Sequence, residues 1–293
     1  MNADEVDKYM ELFIKILTIL IVILLLCLLG YILFTGINDI SWKFLTTSSA
    51  SGVGIRDQIF NTVYLLILTT IISVPISLGV GIYLAEISVN NKLTNIIRTV
   101  IEVLSSLPSI VVGLFGYLLF VIQFHLGFSI LSGAITLTFL NLPLLTRNVE
   151  NSLKSVDDKQ FEAGLSLGLS QWKTITGIVL PSAIPGILTG IILGAGRIFG
   201  EAAALIYTAG QSAPVIDYAN WNPTSSNSFL NIMRPAETLA VHIWKINTEG
   251  VEINASQISA GASVILVIIV IFFNVGAHIV GNYVYRKLTS SKK

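Results

Sequence analysis

The chain has 293 residues, 53% of them hydrophobic and 12% charged, with a mean hydropathy of +0.79. A water-soluble domain carries about 25% charged residues, so this composition excludes one and places the chain in a lipid bilayer. Seventeen Lys and Arg balance seventeen Asp and Glu, which gives no footing for nucleic acid, and a single cysteine, Cys27, excludes an internal disulfide and a cysteine metal site.

Six apolar segments follow one another: 12–34, 58–87, 100–124, 128–148, 175–208 and 260–285. The first covers the full hydrocarbon thickness, longer than a signal peptide's apolar region, and no small-x-small cleavage site follows it; it reads as a retained helix. Residues 1–57 then comprise this helix and a first external loop, and residues 58–293 the main transmembrane domain. In lipid each span must satisfy its own backbone groups, which predicts an all-α polytopic protein with six helices. Pro75 and Gly79, Pro108 and Gly113, and Pro185 and Gly190 interrupt the second, third and fifth spans, as bundled membrane helices allow. Gly190, Gly194, Gly196 and Gly200 are expected to serve close helix packing and helix sliding.

Lys and Arg set the orientation. Lys8, Lys15, Lys92, Arg98, Arg147, Lys154, Lys159, Lys173, Arg286, Lys287, Lys292 and Lys293 fall on one side; only Lys43, Arg56, Arg234 and Lys245 fall on the other. Both termini are therefore expected in the cytoplasm and the loop 209–257 outside. Within that loop, 233–246 is expected to form a short helix with Leu239, Ile243 and Trp244 near one face. It would lie on the headgroups or serve as a docking surface.

Residues 157–170 interrupt the apolar pattern on the cytoplasmic side. Asp157 is placed to cap a helix starting at Asp158, with Gln160 at the capping-box position. Phe161, Leu165 and Leu169 make one apolar stripe. Ala163, Gly164 and Gly168 have little or no side chain, so a partner surface can come close, and Glu162 adds a charge. Farther on, Arg197 and Glu201 stand four residues apart in an uncharged run, a spacing that lets them pair on one helix face. Arg147 and Glu150 offer a second pair. Both are candidates for an anion path, with structural ion pairing as the plainer alternative. His125, His242 and His278 are isolated, so no metal site is expected, and no nucleotide-binding glycine loop is present.

Glu162-Ala163-Gly164, then Gly168, then Ile178-Val179-Leu180-Pro181, resembles the EAA coupling motif of bacterial and archaeal ABC importer permeases. Gly164 stands where that family usually has Ala. Arg197-Ile198-Phe199-Gly200-Glu201 with Thr208-Ala209-Gly210 is similar to phosphate-specific permeases of the PstA type, as are Leu107-Pro108-Ser109 and Leu142-Pro143 leading to Arg147 and Glu150. Ala202-Ala203-Ala204 departs from the usual Thr-Ala-Pro. The resemblance implies a type I ABC importer permease (MetI-like) fold, phosphate as solute and a cell-membrane location. It implies Glu162, Ala163, Gly164, Leu165, Gly168, Ile178, Leu180 and Pro181 as the ATPase-coupling set, and Arg197, Glu201, Arg147 and Glu150 as the solute path. Its partners would be two ATPases that hold ATP and Mg, a second permease of the PstC type and an extracytoplasmic phosphate-binding protein, with no cofactor on this chain. A permease for molybdate or sulfate, a stand-alone anion channel and a membrane scaffold remain the alternatives.

Overall fold

The computed structural model describes residues 3–49, 54–88, 91–212, 214–250 and 254–290. Lys292 and Lys293, counted above for orientation, lie outside them. In chain order the helices are α1 (Ala3–Gly36), α2 (Trp42–Thr46), α3 (Arg56–Ile82), α4 (Lys92–Ser106), α5 (Ser109–Gly116), α6 (Ile130–Lys154), α7 (Asp158–Ser166), α8 (Gln171–Thr174), α9 (Leu180–Gly200), α10 (Ala203–Thr208), α11 (Leu239–Glu249) and α12 (Ala255–Ser290). Widened turns extend α3 through Tyr83–Ile87 and α5 through Tyr117–Gln123, and join α8 to α9 through Ile175–Val179. Among the described residues the only β pairing is an isolated bridge between Asp217 and Ser228.

Among the described residues, five single helices are long and apolar enough to cross a membrane: α1, α3, α6, the run from α8 through α9, and α12. The expected third span, 100–124, is not one helix. α4 and the α5 run are turned by 105° against each other at Leu107-Pro108. The cause is local: the proline ring drives the preceding residue out of helical geometry, and Leu107 is extended. On α4 the apolar side chains Leu93, Ile96, Val100 and Val103 are exposed, while Arg98 reaches Glu150 of α6. A helix of that pattern suits the bilayer interface. With α4 turned aside, the apolar stretch 109–123 left for a crossing is about 22 Å long at 1.5 Å per residue, against a hydrocarbon core of about 30 Å.

α6 is the centre of the bundle, flanked by α3 and α9. Small residues at every fourth position let the three helices touch. Gly186, Gly190 and Gly194 of α9 face Ser152, Asn148 and Asn141 of α6, so closely that a Cβ on them would sit 2.5, 2.6 and 2.7 Å from those side chains. Thr69, Ser73, Ser77 and Gly81 of α3 form a matching buried stripe, and a Cβ on Gly81 would lie 2.5 Å from Val149. Lipid tails are as apolar as leucine, so this close packing rather than water exclusion drives association. The packing expectation thus holds for Gly190 and Gly194. It fails for Gly196 and Gly200, which face open space.

The fifth segment also differs from its expected bounds. Pro181 supplies no N–H to the helix ladder, and the turn just before it, Ile175–Val179, is widened. At Glu201 the backbone leaves the helix (ψ 117°), and α10 restarts after it.

In the loop expected outside, residues 233–237 are not helical. Arg234 is buried there, donating to Asn61 Oδ1 at 2.8 Å, and Asn61 Nδ2 donates to the Glu237 carbonyl at 3.1 Å. α11 begins only at Leu239, with Thr238 as its cap. It is not a surface helix: Leu239 and Val241 are fully buried, and it packs on α12 and α3, leaving Trp244 half exposed.

Candidate coupling and solute-path sites

The Asp157 carboxylate accepts from the Lys159 N–H at 3.0 Å, and α7 begins where the sequence predicts. The capping box does not form. Gln160 Oε1 instead accepts from the Ser182 hydroxyl at 3.2 Å, which ties α7 to the start of α9. The helix ends on Gly168 in the left-handed region, φ +78°. Leu169 N–H donates to the Gly164 carbonyl and Gly168 N–H to the Leu165 carbonyl, the paired bonds of a Schellman terminus.

Two of the three small residues also have a reason to be small within this chain. Gly164 is buried against its own chain, where a Cβ would lie 2.6 Å from Thr174 and 3.0 Å from Ile178. The two halves of the sequence motif meet at that contact. Gly168 has open space around it and is needed for its backbone angle. Phe161 packs against the buried cluster that includes Leu153 and Val179, while Leu180 and Pro181 open α9. Gln171 Nε2 donates to the Glu86 carbonyl at 3.1 Å, fastening the segment to the end of α3. What α7 offers outward is Glu162, Ala163 and Leu165, joined by Leu167, 80% exposed, and Trp172, 58% exposed. Sequence reading missed Leu167 and Trp172. The available signal was two large apolar side chains bracketing a helix-ending glycine in a polar loop.

The expected i, i+4 pair of Arg197 and Glu201 is not made. Glu201 lies past the end of α9, and its carboxylate accepts the Ala204 N–H at 3.1 Å, capping the start of α10. Arg197 is exposed on this chain. The two side chains still share one cleft, lined also by Leu137, Leu140, Asn141 and Ile198.

Arg147 and Glu150 do not pair with each other either. Glu150, with its side chain 8% exposed, receives Arg98 of α4 at 2.8 Å and Lys154 of α6 at 2.7 Å. Arg147 approaches Glu102 of α4 only to 3.8 Å. Arg98, Ile101, Glu102, Arg147, Glu150, Asn151 and Lys154 line one open cavity of about 350 Å³. Arg98, Glu102, Lys154 and Asn141 are the residues the sequence reading did not assign. For Arg98 and Glu102 the reason is the bend at Pro108, which brings α4 to α6: pairing across helices cannot be read from spacing along one of them, whereas the i, i+4 spacing of Glu150 and Lys154 on α6 was there to be read. α6 lines both openings, the cleft with Leu137, Leu140 and Asn141 toward α9 and the cavity with Arg147, Glu150, Asn151 and Lys154 toward α4.

Residues 77–290 match the family described as "Binding-protein-dependent transport system inner membrane component". The chain belongs to that family and is a permease subunit of an ABC importer. It is 47% identical to the probable ABC transporter permease protein YqgI of Bacillus subtilis (strain 168), over 99% of this chain and 100% of that one. It is 35% identical to the phosphate transport system permease protein PstA of Yersinia pestis, over 72% of this chain and 68% of that one. Its fold is that of a chain in inward-facing conformations of the MetNI methionine ABC transporter, with a TM-score of 0.61 over 80% of this chain and 95% of the other, at 18% identity.

Proposed function

We propose that this chain is the PstA-type permease subunit of an ATP-driven importer of inorganic phosphate. The observation that carries the reading is a pair of exposed arginines set against α6, Arg197 of α9 and Arg147 of α6 itself, each lining an opening beside that helix. The Arg197 cleft lies at Asn141 and the Arg147 cavity at Glu150, roughly 13 Å apart at 1.5 Å per residue. An arginine set directly against lipid costs about 2.5–3.5 kcal/mol on insertion scales. Arg197 is exposed on its own chain, so a watery path shared with a second permease of the PstC type suits it better. Glu201 is engaged at the start of α10 and leaves Arg197 free to attract an anion. The likeness to the Yersinia pestis phosphate permease supports phosphate as that anion.

In this reading a binding protein delivers phosphate to the face formed by residues 209–257. Two ATPase subunits, which hold the ATP and Mg, press on α7 through Glu162, Ala163, Leu165, Leu167 and Trp172. The ties from α7 to α9 and from α8 to the end of α3 carry that push into the bundle, which opens alternately to either side. The complex sits in the cell membrane of a bacterium or archaeon, with both termini of this chain cytoplasmic.

Radiolabelled phosphate uptake in cells depending on this chain tests the reading. Arg197→Gln is expected to abolish uptake without loss of assembly. Arg197→Lys should retain part of it, since a point charge also binds phosphate. Wild-type uptake by Arg197→Gln removes the residue from the path. Transport of labelled molybdate or sulfate in place of phosphate moves the assignment to that oxyanion.

A further inference from the structure

The cavity between α4 and α6 is more than an inner boundary rich in charge. Each helix contributes one arginine and one glutamate, and they cross: Arg98 of α4 holds Glu150 of α6 at 2.8 Å, and Arg147 of α6 reaches toward Glu102 of α4 at 3.8 Å. The two contacts are unequal. Glu150 is buried and held by two cations, Arg98 and Lys154, at hydrogen-bond distance. Glu102 is 69% exposed and Arg147 48% exposed, with no tighter ion pair to Arg147 among the described residues. Three cations and two carboxylates leave one net positive charge on a cavity of about 350 Å³, several times the volume of a water-sized guest at ~30 Å³.

We propose that Arg98, Arg147 and Lys154 form a binding site for a tetrahedral phosphate oxyanion at the inner end of α6, with Glu150 as the buried anchor that positions Arg98 and Lys154. Arg147 is the primary contact. Its planar fork suits two oxygens of a phosphate, and the weak approach of Glu102 is the competitor that the anion displaces. Arg98 is the residue that α4 adds, and it exists at this spot only because of the bend at Pro108. The same chemistry is offered by inorganic phosphate in transit and by an anionic lipid headgroup. The exposed apolar face of α4, with Leu93, Ile96, Val100 and Val103, places the cavity at the bilayer interface where both are available. As a station for the solute, the site rests on the phosphate reading above; as an oxyanion site, it stands on these distances alone.

The test uses the full-length chain with its co-isolated subunits, without the binding protein and without ATP, in nanodiscs of zwitterionic lipid. Equilibrium binding of radiolabelled inorganic phosphate is measured for wild type, Arg98→Gln, Arg147→Gln and Glu102→Gln. Retention of phosphatidylglycerol in doped nanodiscs is followed by native mass spectrometry. Removal of a charged hydrogen-bond donor should weaken binding about tenfold or more, and removal of the competing carboxylate should tighten it about threefold. Saturable phosphate binding that follows this order assigns the site to phosphate in transit. Phosphatidylglycerol retention that follows the order, with no phosphate binding, assigns it to the lipid headgroup. If neither ligand responds to these substitutions, the site does not exist. Should Arg98→Gln fail to assemble, Glu102→Gln still decides, because tightening is a gain that damage does not produce. Phosphate binding that follows the order in a complex that imports some other solute overturns the phosphate-importer reading and leaves this site standing.

Discussion

Gly168 separates two physical reasons for a small residue in the coupling segment. Its φ of +78° strains most residues with a Cβ by about 1–2 kcal/mol, whereas asparagine tolerates that region. Gly168→Leu is therefore expected to lose most ATP-coupled uptake while the chain still inserts, and Gly168→Asn to keep most of it. Loss in both, measured at equal expression, would return the glycine to a close contact with the partner. Glu237 gives a second prediction at this scale. Burial by itself would raise its carboxyl, but the hydrogen bond and charge of His242, the hydrogen bond from Gln58 and the charge of Lys245 outweigh burial and hold it below its ordinary value. A carboxyl depressed in the folded state stabilises above its unfolded value of about 4.3 and loses that contribution as pH falls through the lower, folded one. Melting temperature in detergent should thus drop below about pH 4 in the wild type. Glu237→Gln should flatten that acid limb and lower stability at neutral pH by about 3 kcal/mol, since it leaves buried partners unpaired. An unchanged acid limb in the variant would show that other carboxylates control it.

At the scale of elements, the small-residue stripes make a paired prediction. Gly190→Ala forces a Cβ to within 2.6 Å of Asn148 and is expected to destabilise the bundle by about 1–3 kcal/mol, as overpacking does. Gly196→Ala meets nothing within 4 Å and should be neutral or stabilising, because alanine favours a helix over glycine by about 1 kcal/mol. Thermal unfolding of the two variants side by side checks this. The comparison also marks what the sequence makes legible. The spacing of Gly186, Gly190 and Gly194 announces a contact face, while Gly196 and Gly200 look the same in sequence and lie elsewhere. Apolar length reveals α3, α6 and α12, because bilayer thickness sets it. The bend at Leu107-Pro108 was visible as a proline but not as a 105° turn, since a proline within a membrane helix is compatible with a mild kink as well. The candidate charges were found and their partners were not. Arg147, Glu150, Arg197 and Glu201 all stand out in apolar surroundings, but neither expected pair forms: Arg147 and Glu150 reach α4, Glu150 also holds Lys154 of its own helix, and Glu201 accepts a backbone N–H.

For the whole molecule, the asymmetry of Lys and Arg predicts that Ser225 is reached from outside. In a Cys27→Ala background, a cysteine placed at position 225 should react with an impermeant thiol reagent on intact cells. Protection there, with labelling only after lysis, would invert the orientation. The shortness of the 109–123 crossing carries a further consequence, an electrical one. Membrane voltage falls across the low-dielectric layer, and a helix about 22 Å long with an interfacial helix folded beside it thins that layer locally. Each elementary charge moved across the membrane exchanges about 2.3 kcal/mol per 100 mV. A divalent anion entering a cell that is negative inside therefore works against about twice that. On the proposed phosphate path through the Arg197 cleft and the Arg147 cavity, the hop between the two is therefore the step expected to carry the voltage dependence of import.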